Sequence, residues 1–269
     1  MPAAAVESPT PLTAGFSSGE MEQFDRDGYV IVRGLGDSTL RERMLHVTLD
    51  GLHRRIEPVE LETELRYPGA PDSREVAGGE TVRRLKQALS RDYAFTQWIT
   101  NPGVVARLGQ LLGPELVCPL AHHNCVMTKH PAYSSDTGWH QDIRYWSFGR
   151  PELVTVWLAL GEERERNGCL RVIPGSHRME LDRSRLDDQS FFRDDLAENR
   201  ALIGQARAVE LDAGDVLFFH CRTLHAASRN YTDETKYSVV FTFRAGDNPP
   251  LPGTRSSASP ELLIHRPVG

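Results

Sequence analysis

His140 and Asp142 stand two positions apart in the run Gly138-Trp139-His140-Gln141-Asp142-Ile143-Arg144-Tyr145-Trp146. In extended backbone alternate side chains share a face, so an imidazole nitrogen and a carboxylate oxygen at this spacing converge on one ion. Two ligands leave such a site incomplete. The run Phe218-Phe219-His220-Cys221-Arg222-Thr223-Leu224-His225 offers two further imidazoles. His225 is the expected third ligand, with His220 as its rival; a histidine inside an apolar stretch is more often packed and hydrogen-bonded. Two histidines and one carboxylate on one side of a metal, with the other side open, is the arrangement of non-haem Fe(II) oxygenases. His46, His53, His122, His123 and His130 have no partner at ligand spacing and are expected to be structural or superficial. His177, in the turn Pro174-Gly175-Ser176-His177, reads as a turn residue or a neighbour of the site.

The elements that must carry these residues follow from caps, turns and periodicity. Residues 1–15, rich in Ala, Pro, Ser and Thr, are expected to be a flexible tail, and 16–269 one domain. Ser17 or Ser18 caps a short helix through Arg26, Tyr29-Val30-Ile31-Val32 is a strand, and Asp37 or Ser38 caps a helix to about Leu52. The segment 57–80 reads as irregular, with helices at about 81–98 and, after Asn101-Pro102, at about 103–112. Strands are expected over 115–129, 139–147, 153–160, 169–173, 206–211, 215–221 and 237–244. Asn167-Gly168 is a strong hairpin signal between two of them. The polar stretch 178–205 is either a lid over the barrel mouth or a solvated insertion. Helices followed by a series of short strands predict a mainly β chain with packed helices, the N-terminal ones lying outside a double-sheet jelly roll.

Composition narrows the function classes. Lysine and arginine number 31 against 37 acids, a formal charge of −6, which argues against nucleic acid as the main partner. No apolar run approaches membrane-spanning length, and Met1-Pro2-Ala3-Ala4-Ala5-Val6-Glu7 has neither the basic nor the apolar region of a signal peptide. Cys118, Cys125, Cys169 and Cys221 show no paired spacing, as expected of reduced thiols in a cytoplasmic enzyme.

Several motifs in one order carry more weight than His-x-Asp alone. Trp139-His140-Gln141-Asp142, Asn167-Gly168-Cys169-Leu170, Ile173-Pro174-Gly175-Ser176-His177, Gly214-Asp215, and His225 followed by Ser228 and Asn230 resemble the phytanoyl-CoA dioxygenase family, from about Phe16 to Arg244. The resemblance implies a double-stranded β-helix of cupin type and Fe(II) held by His140, Asp142 and His225. It also implies 2-oxoglutarate and O2 as co-substrates, with succinate and CO2 released as an unactivated C–H bond is hydroxylated. Relatives that halogenate have lost the carboxylate ligand; Asp142 is present here, which favours hydroxylation. Jelly rolls also host non-oxidative metal sites and plain binding proteins, the two alternatives to an oxygenase.

The distal carboxylate of the keto-acid needs a cation. In the family this is usually an arginine at a fixed distance after the second histidine, and the matching position holds Lys236, a spacing that also favours His225 over His220. Lysine lacks the bidentate fork of arginine. Ser238, two positions on, is expected to add a hydrogen bond, and Arg229 is the substitute anchor. Asn124 and Lys129 on the preceding strand, and Thr155 and Trp157 on the following one, are further candidates for the co-substrate pocket. Arg144 shares a face with His140 and Asp142 and is placed to meet a substrate carboxylate or phosphate, with Trp139 and Trp146 as candidate cavity walls. The cluster Arg83-Arg84-x-Lys86 with Arg91 is expected on an exposed helix face, and Pro252-Gly253-Thr254-Arg255-Ser256 either over the mouth or outside it. The expected partner is a small molecule, either an acyl-CoA or a smaller metabolite such as an intermediate of secondary metabolism.

Overall fold

The computed structural model describes residues 14–264, so the tail expected over 1–15 falls outside them apart from its last two positions. The chain begins as its caps dictate. Helix α1 (Ser18–Asp27) opens on a capping box in which Ser17 Oγ accepts from Glu20 N and the Glu20 carboxylate accepts from Ser17 N, and Gly28 closes it at φ 81. Strand β1 (Tyr29–Val32) follows, then α2 (Ser38–His53), capped by Asp37. Next come β2 (Val59–Leu61), the single turn α3 (Glu62–Leu65) and β3 (Val82–Lys86). Helices α4 (Tyr93–Ile99) and α5 (Pro102–Leu112) start on the side-chain caps Asp92 and Asn101. The remainder is β-rich: β4 (Leu116–Pro119), β5 (Asn124–Lys129), β6 (Thr137–His140), β7 (Leu153–Ala159) and β8 (Leu170–Val172). After α6 (Ala197–Ile203) come β9 (Arg207–Val209), β10 (Val216–His220), β11 (His225–Ala227), β12 (Lys236–Ala245) and β13 (Glu261–Ile264).

The larger sheet has nine strands in the order β1-β10-β7-β12-β5-β3-β2, with β4 paired to β12 and β13 to β4; the smaller has four, β6-β11-β8-β9. Every pairing between these strands is antiparallel. The outer face of the larger sheet is covered by α1, α2, α4 and α5, whose Phe24, Met44, Trp98 and Leu108 pack on Val156, Phe218, Val239 and Phe241. Its inner face meets the smaller sheet through Trp157, Leu217, Phe219 and Val240 against Leu170, Val172, Val209 and Ala227. Strand β7 is therefore buried at all seven positions. The fold is mainly β, a cupin-like jelly roll with helices outside the barrel.

Four local expectations need correction. The helix expected at 81–98 is a strand, β3, followed by a break at Gln87 (φ 55) and only then by α4. Pairing of Arg84, Leu85 and Lys86 with Met127, Val126 and Cys125 overrides the helical propensity of Arg, Leu and Lys. The strand expected over 139–147 ends at His140, and Asp142–Tyr145 form a 3-10 turn. The run 115–129 is two strands, β4 and β5, and the segment 57–80 contains β2 and α3. Strand β11, three residues long, and β13 had no pattern long enough to mark them.

Candidate metal centre

His140 and His225 are cross-strand partners where β6 pairs with β11, so the minor sheet sets their imidazoles side by side, ring centroids 4.2 Å apart. Asp142 lies just past the end of β6. Gln141 is extended (φ −107, ψ 137), which keeps Asp142 on the side of His140 before the chain turns. One carboxylate oxygen, Asp142 Oδ1, is 3.9 Å from His140 Nε2 and 3.7 Å from His225 Nε2. Ligand atoms of the three residues all fall within 4.8 Å of one another, and this is the one such group of three among the described residues.

The donors are oriented as a metal requires. His140 Nδ1 bonds Gly138 O at 2.8 Å and His225 Nδ1 bonds Thr223 O at 3.0 Å, so each Nδ1 carries the proton and each Nε2 turns its lone pair to Asp142. Burial, with His225 and Arg144 nearby, holds His140 well below the usual histidine range and keeps it neutral. Asp142 Oδ2 accepts from the hydroxyl of Thr155 on β7 at 3.4 Å, leaving Oδ1 toward the histidines. Two imidazoles and one carboxylate converging from one side is a donor set that fits Fe(II). His140, Asp142 and His225 are the residues that would hold it.

The triad borders a cavity of about 480 Å³. Lys129, Lys236, Gly168 and Trp157 line it, as do Arg84, Arg144, Trp146 and Arg255. Lys236 and Lys129 are cross-strand partners between β12 and β5. Lys236 Nζ is 3.0 Å from Glu163 Oε2 and 3.1 Å from Ser238 Oγ. Lys129 Nζ donates to Ser135 O at 2.8 Å and to Ser228 O.

Other expected residues are placed differently. Thr155 does not line the cavity; it acts through Asp142 and is backed by Thr242 Oγ1 at 3.2 Å. Asn124 borders the cavity, but its side-chain carbonyl accepts from Leu89 N at 3.0 Å. Ser238 donates to Glu163 Oε1 at 2.6 Å. Trp139 packs with Ile173, Phe192 and Leu224 outside the cavity, whereas Trp146 forms its wall, stacked on His122 at 4.9 Å. Arg229 pairs with Asp136 at 2.8 Å and is absent from the lining, which removes it as the anchor. His220 accepts from Arg222 N and stands outside the triad. Arg144 lies on the 3-10 turn rather than on a strand; it still reaches the cavity and donates to Ser190 O at 3.1 Å.

Several residues of the site carried no signal in the sequence. His123 Nε2 lies 3.7 Å from Asp142 Oδ1, and His122 and His123 both border the cavity; burial pushes His123 down to about 4. Arg84 turns into the cavity from β3, 3.2 Å from Glu60, not outward from a helix. Phe191, from the stretch 178–205, stacks edge-on against His140 at 5.9 Å and Tyr67 at 5.4 Å. Glu163, fully buried, had no spacing to mark it.

Known proteins resemble this chain in sequence and fold. The ectoine dioxygenase of Streptomyces avermitilis is 24% identical over 259 residues, covering 90% of this chain and 82% of that protein. The human peroxisomal phytanoyl-CoA dioxygenase is 23% identical over 235 residues, covering 83% of this chain and 67% of that protein. Among solved structures, EctD from S. alaskensis with 2-oxoglutarate and 5-hydroxyectoine superposes with a TM-score of 0.72 at 20% identity, over 91% of this chain and 82% of its own. The non-heme alpha ketoglutarate dependent carbocyclase SnoK does so with a TM-score of 0.70 at 22% identity, over 96% and 99%. The sequence profile described as Phytanoyl-CoA dioxygenase (PhyH) matches residues 24–238, a span that contains the triad and Lys236, and the chain belongs to that family.

Proposed function

We propose that this protein is an Fe(II)- and 2-oxoglutarate-dependent dioxygenase that hydroxylates an unactivated C–H bond of a small organic substrate, releasing succinate and CO2. The observation that carries the proposal is the convergence of His140, Asp142 and His225 at the wall of a cavity with buried lysines. Relatives named for 2-oxoglutarate chemistry support it. Bound Fe(II) supplies the redox chemistry that no side chain can; the chain supplies orientation and exclusion of water. Thr155 holds Asp142 in place, and the carbonyls of Gly138 and Thr223 fix the two histidine tautomers. Lys129 and Lys236 provide the positive end for the keto-acid's distal carboxylate, beside Trp157. Arg144, whose buried Nε has no partner among the described residues, faces an anionic group of the substrate, with Trp146 as an apolar wall. The stretch 178–205 acts as a lid, its Phe191 set edge-on against His140 at 5.9 Å. The enzyme works in the cytoplasm, consistent with four free, buried cysteines, and no helix among the described residues is long and apolar enough to cross a membrane.

Anaerobic addition of Fe(II) and 2-oxoglutarate tests the proposal: a weak visible charge-transfer band is expected, followed by O2-dependent succinate release. His140→Ala should abolish both. Binding of Zn(II) with no band and no succinate would instead mark a non-oxidative metalloprotein, and unchanged metal content in His140→Ala would point to a binding protein.

A further inference from the structure

A carboxylate stands behind the positive end of the cavity, outside its lining and paired with Lys236. Glu163 is fully buried, and both of its oxygens are engaged. Oε1 accepts from Trp157 Nε1 at 2.9 Å and from Ser238 Oγ at 2.6 Å, and Oε2 takes Lys236 Nζ at 3.0 Å. Its backbone is pinned as well, Glu163 N donating to Leu211 O at 2.8 Å and Leu211 N to Glu163 O at 3.0 Å. Lys236, the cation that the family resemblance marks as anchor, is thus already paired before any ligand arrives. Lys129 is not. Its ammonium contacts two neutral carbonyls, Ser135 O and Ser228 O, and forms no ion pair among the described residues, Glu62 and Asp136 standing further off. Its stem passes over Gly168, where an added Cβ would fall 2.9 Å from Lys129 Cδ. Of these two buried lysines on paired strands, Lys236 is the one held by an ion pair, and Lys129 feels the more distant charges of Arg83, Glu62 and Asp136.

We propose that Glu163 is the affinity- and specificity-determining residue of the co-substrate end: it neutralises Lys236, makes Lys129 the free cation, and competes with the distal carboxylate of the keto-acid. The inference rests on the 2-oxoglutarate assignment made above. Its physical basis is simple. Two buried, opposed lysines without a counter-charge would destabilise the empty pocket. A permanent Glu163 relieves that repulsion, but an incoming carboxylate must then share Lys236 with it. The end accepts one negative charge, as a carboxylate brings, and disfavours two.

The test compares 2-oxoglutarate with pyruvate, which has the same chelating keto-acid group and no distal carboxylate. Dissociation constants are read from the anaerobic Fe(II) charge-transfer band and from calorimetry on Zn(II)-loaded protein. Glu163→Gln keeps the shape and removes the charge, and is expected to tighten 2-oxoglutarate by about tenfold or more while leaving pyruvate unchanged. Lys129→Met should weaken 2-oxoglutarate by roughly 10–100-fold, again without touching pyruvate. A purely structural Glu163 would give weaker binding of both keto-acids in Glu163→Gln, and that result, or an unchanged 2-oxoglutarate affinity, overturns the inference. Should Glu163→Gln fail to fold, Lys129→Met decides alone: equal effects on both keto-acids overturn it. Failure of both keto-acids to bind the unmodified protein is a different outcome, because it removes the oxygenase assignment and this inference with it.

Discussion

Thr155 contributes a single hydroxyl 3.4 Å from Asp142 Oδ2, on the side of the carboxylate away from the histidines. Partners of this kind are worth roughly 10–100-fold in metal affinity. Thr155→Val, close to isosteric, is therefore expected to weaken Co(II) or Fe(II) binding within that range while the fold persists, as read by metal titration beside circular dichroism. Lys129 gives the pH dependence. Burial, reinforced by Arg83 and Lys236 and opposed by Glu62 and Asp136, pulls it down to about 7. The ammonium that meets a carboxylate exists below that value and disappears above it. Affinity for 2-oxoglutarate should thus be highest below neutrality and fall by up to about tenfold per pH unit above it. Lys129→Met should show weak binding with that component of the profile gone. The same depressed value carries a stability consequence: unfolded lysine binds its proton up to about pH 10, so this group alone makes the ligand-free protein more stable as pH rises from neutrality toward that value.

At the scale of elements, the pairing of β6 with β11 does most of the positioning. It sets His140 opposite His225, and the register slips immediately beyond, between His225 and Ala227. The stretch 178–205 packs on Trp139 through Phe192, Leu181 and Leu186, and near the site Phe192 N donates to Trp139 O at 2.7 Å while Arg144 donates to Ser190 O at 3.1 Å with its guanidinium 3.9 Å from the centre of the Phe191 ring. Arg144→Ala removes two of those tethers. If the stretch is a lid, tryptic cleavage after Arg183, Arg185 and Arg193 should accelerate several-fold, and bound keto-acid should no longer slow it; an unchanged cleavage rate would mark a fixed surface insertion.

At the scale of the molecule, the ion site lies where the smaller sheet faces the larger one: His140 and His225 belong to the former, and Asp142 is fastened to β7 of the latter. A metal bound only by the folded chain stabilises it by mass action, about 2.7 kcal/mol at a hundredfold excess over the dissociation constant. Metal is accordingly expected to raise the melting temperature by several degrees, a shift that Asp142→Ala should abolish. The other face of the larger sheet depends on apolar packing. Phe218 is fully buried beneath the helices, its ring 5.1 Å edge-on from Phe16. Phe218→Ala should cost about 3–5 kcal/mol, measured by denaturant unfolding, and should weaken ligand binding only as far as the fold is lost.

The sequence by itself determined what is local. Ser17, Asp37 and Asn101 cap helices as expected, because caps depend on neighbours within a few residues, whereas Asn167-Gly168 turns the chain, with Gly168 at φ 79, without forming the expected hairpin: β7 lies in the larger sheet and β8 in the smaller. The types and spacing of His140 and Asp142 were likewise readable, since one extended residue suffices to set them on the same side. Only the tertiary structure decided which strands lie together. That His225 faces His140, that Thr155 reaches Asp142 from the other sheet, that Arg84 enters the cavity from a strand, and that Glu163 engages Lys236 all depend on contacts between distant segments. Periodicity fixes which face of a segment a side chain takes; the partner across that face is chosen by burial of the whole chain.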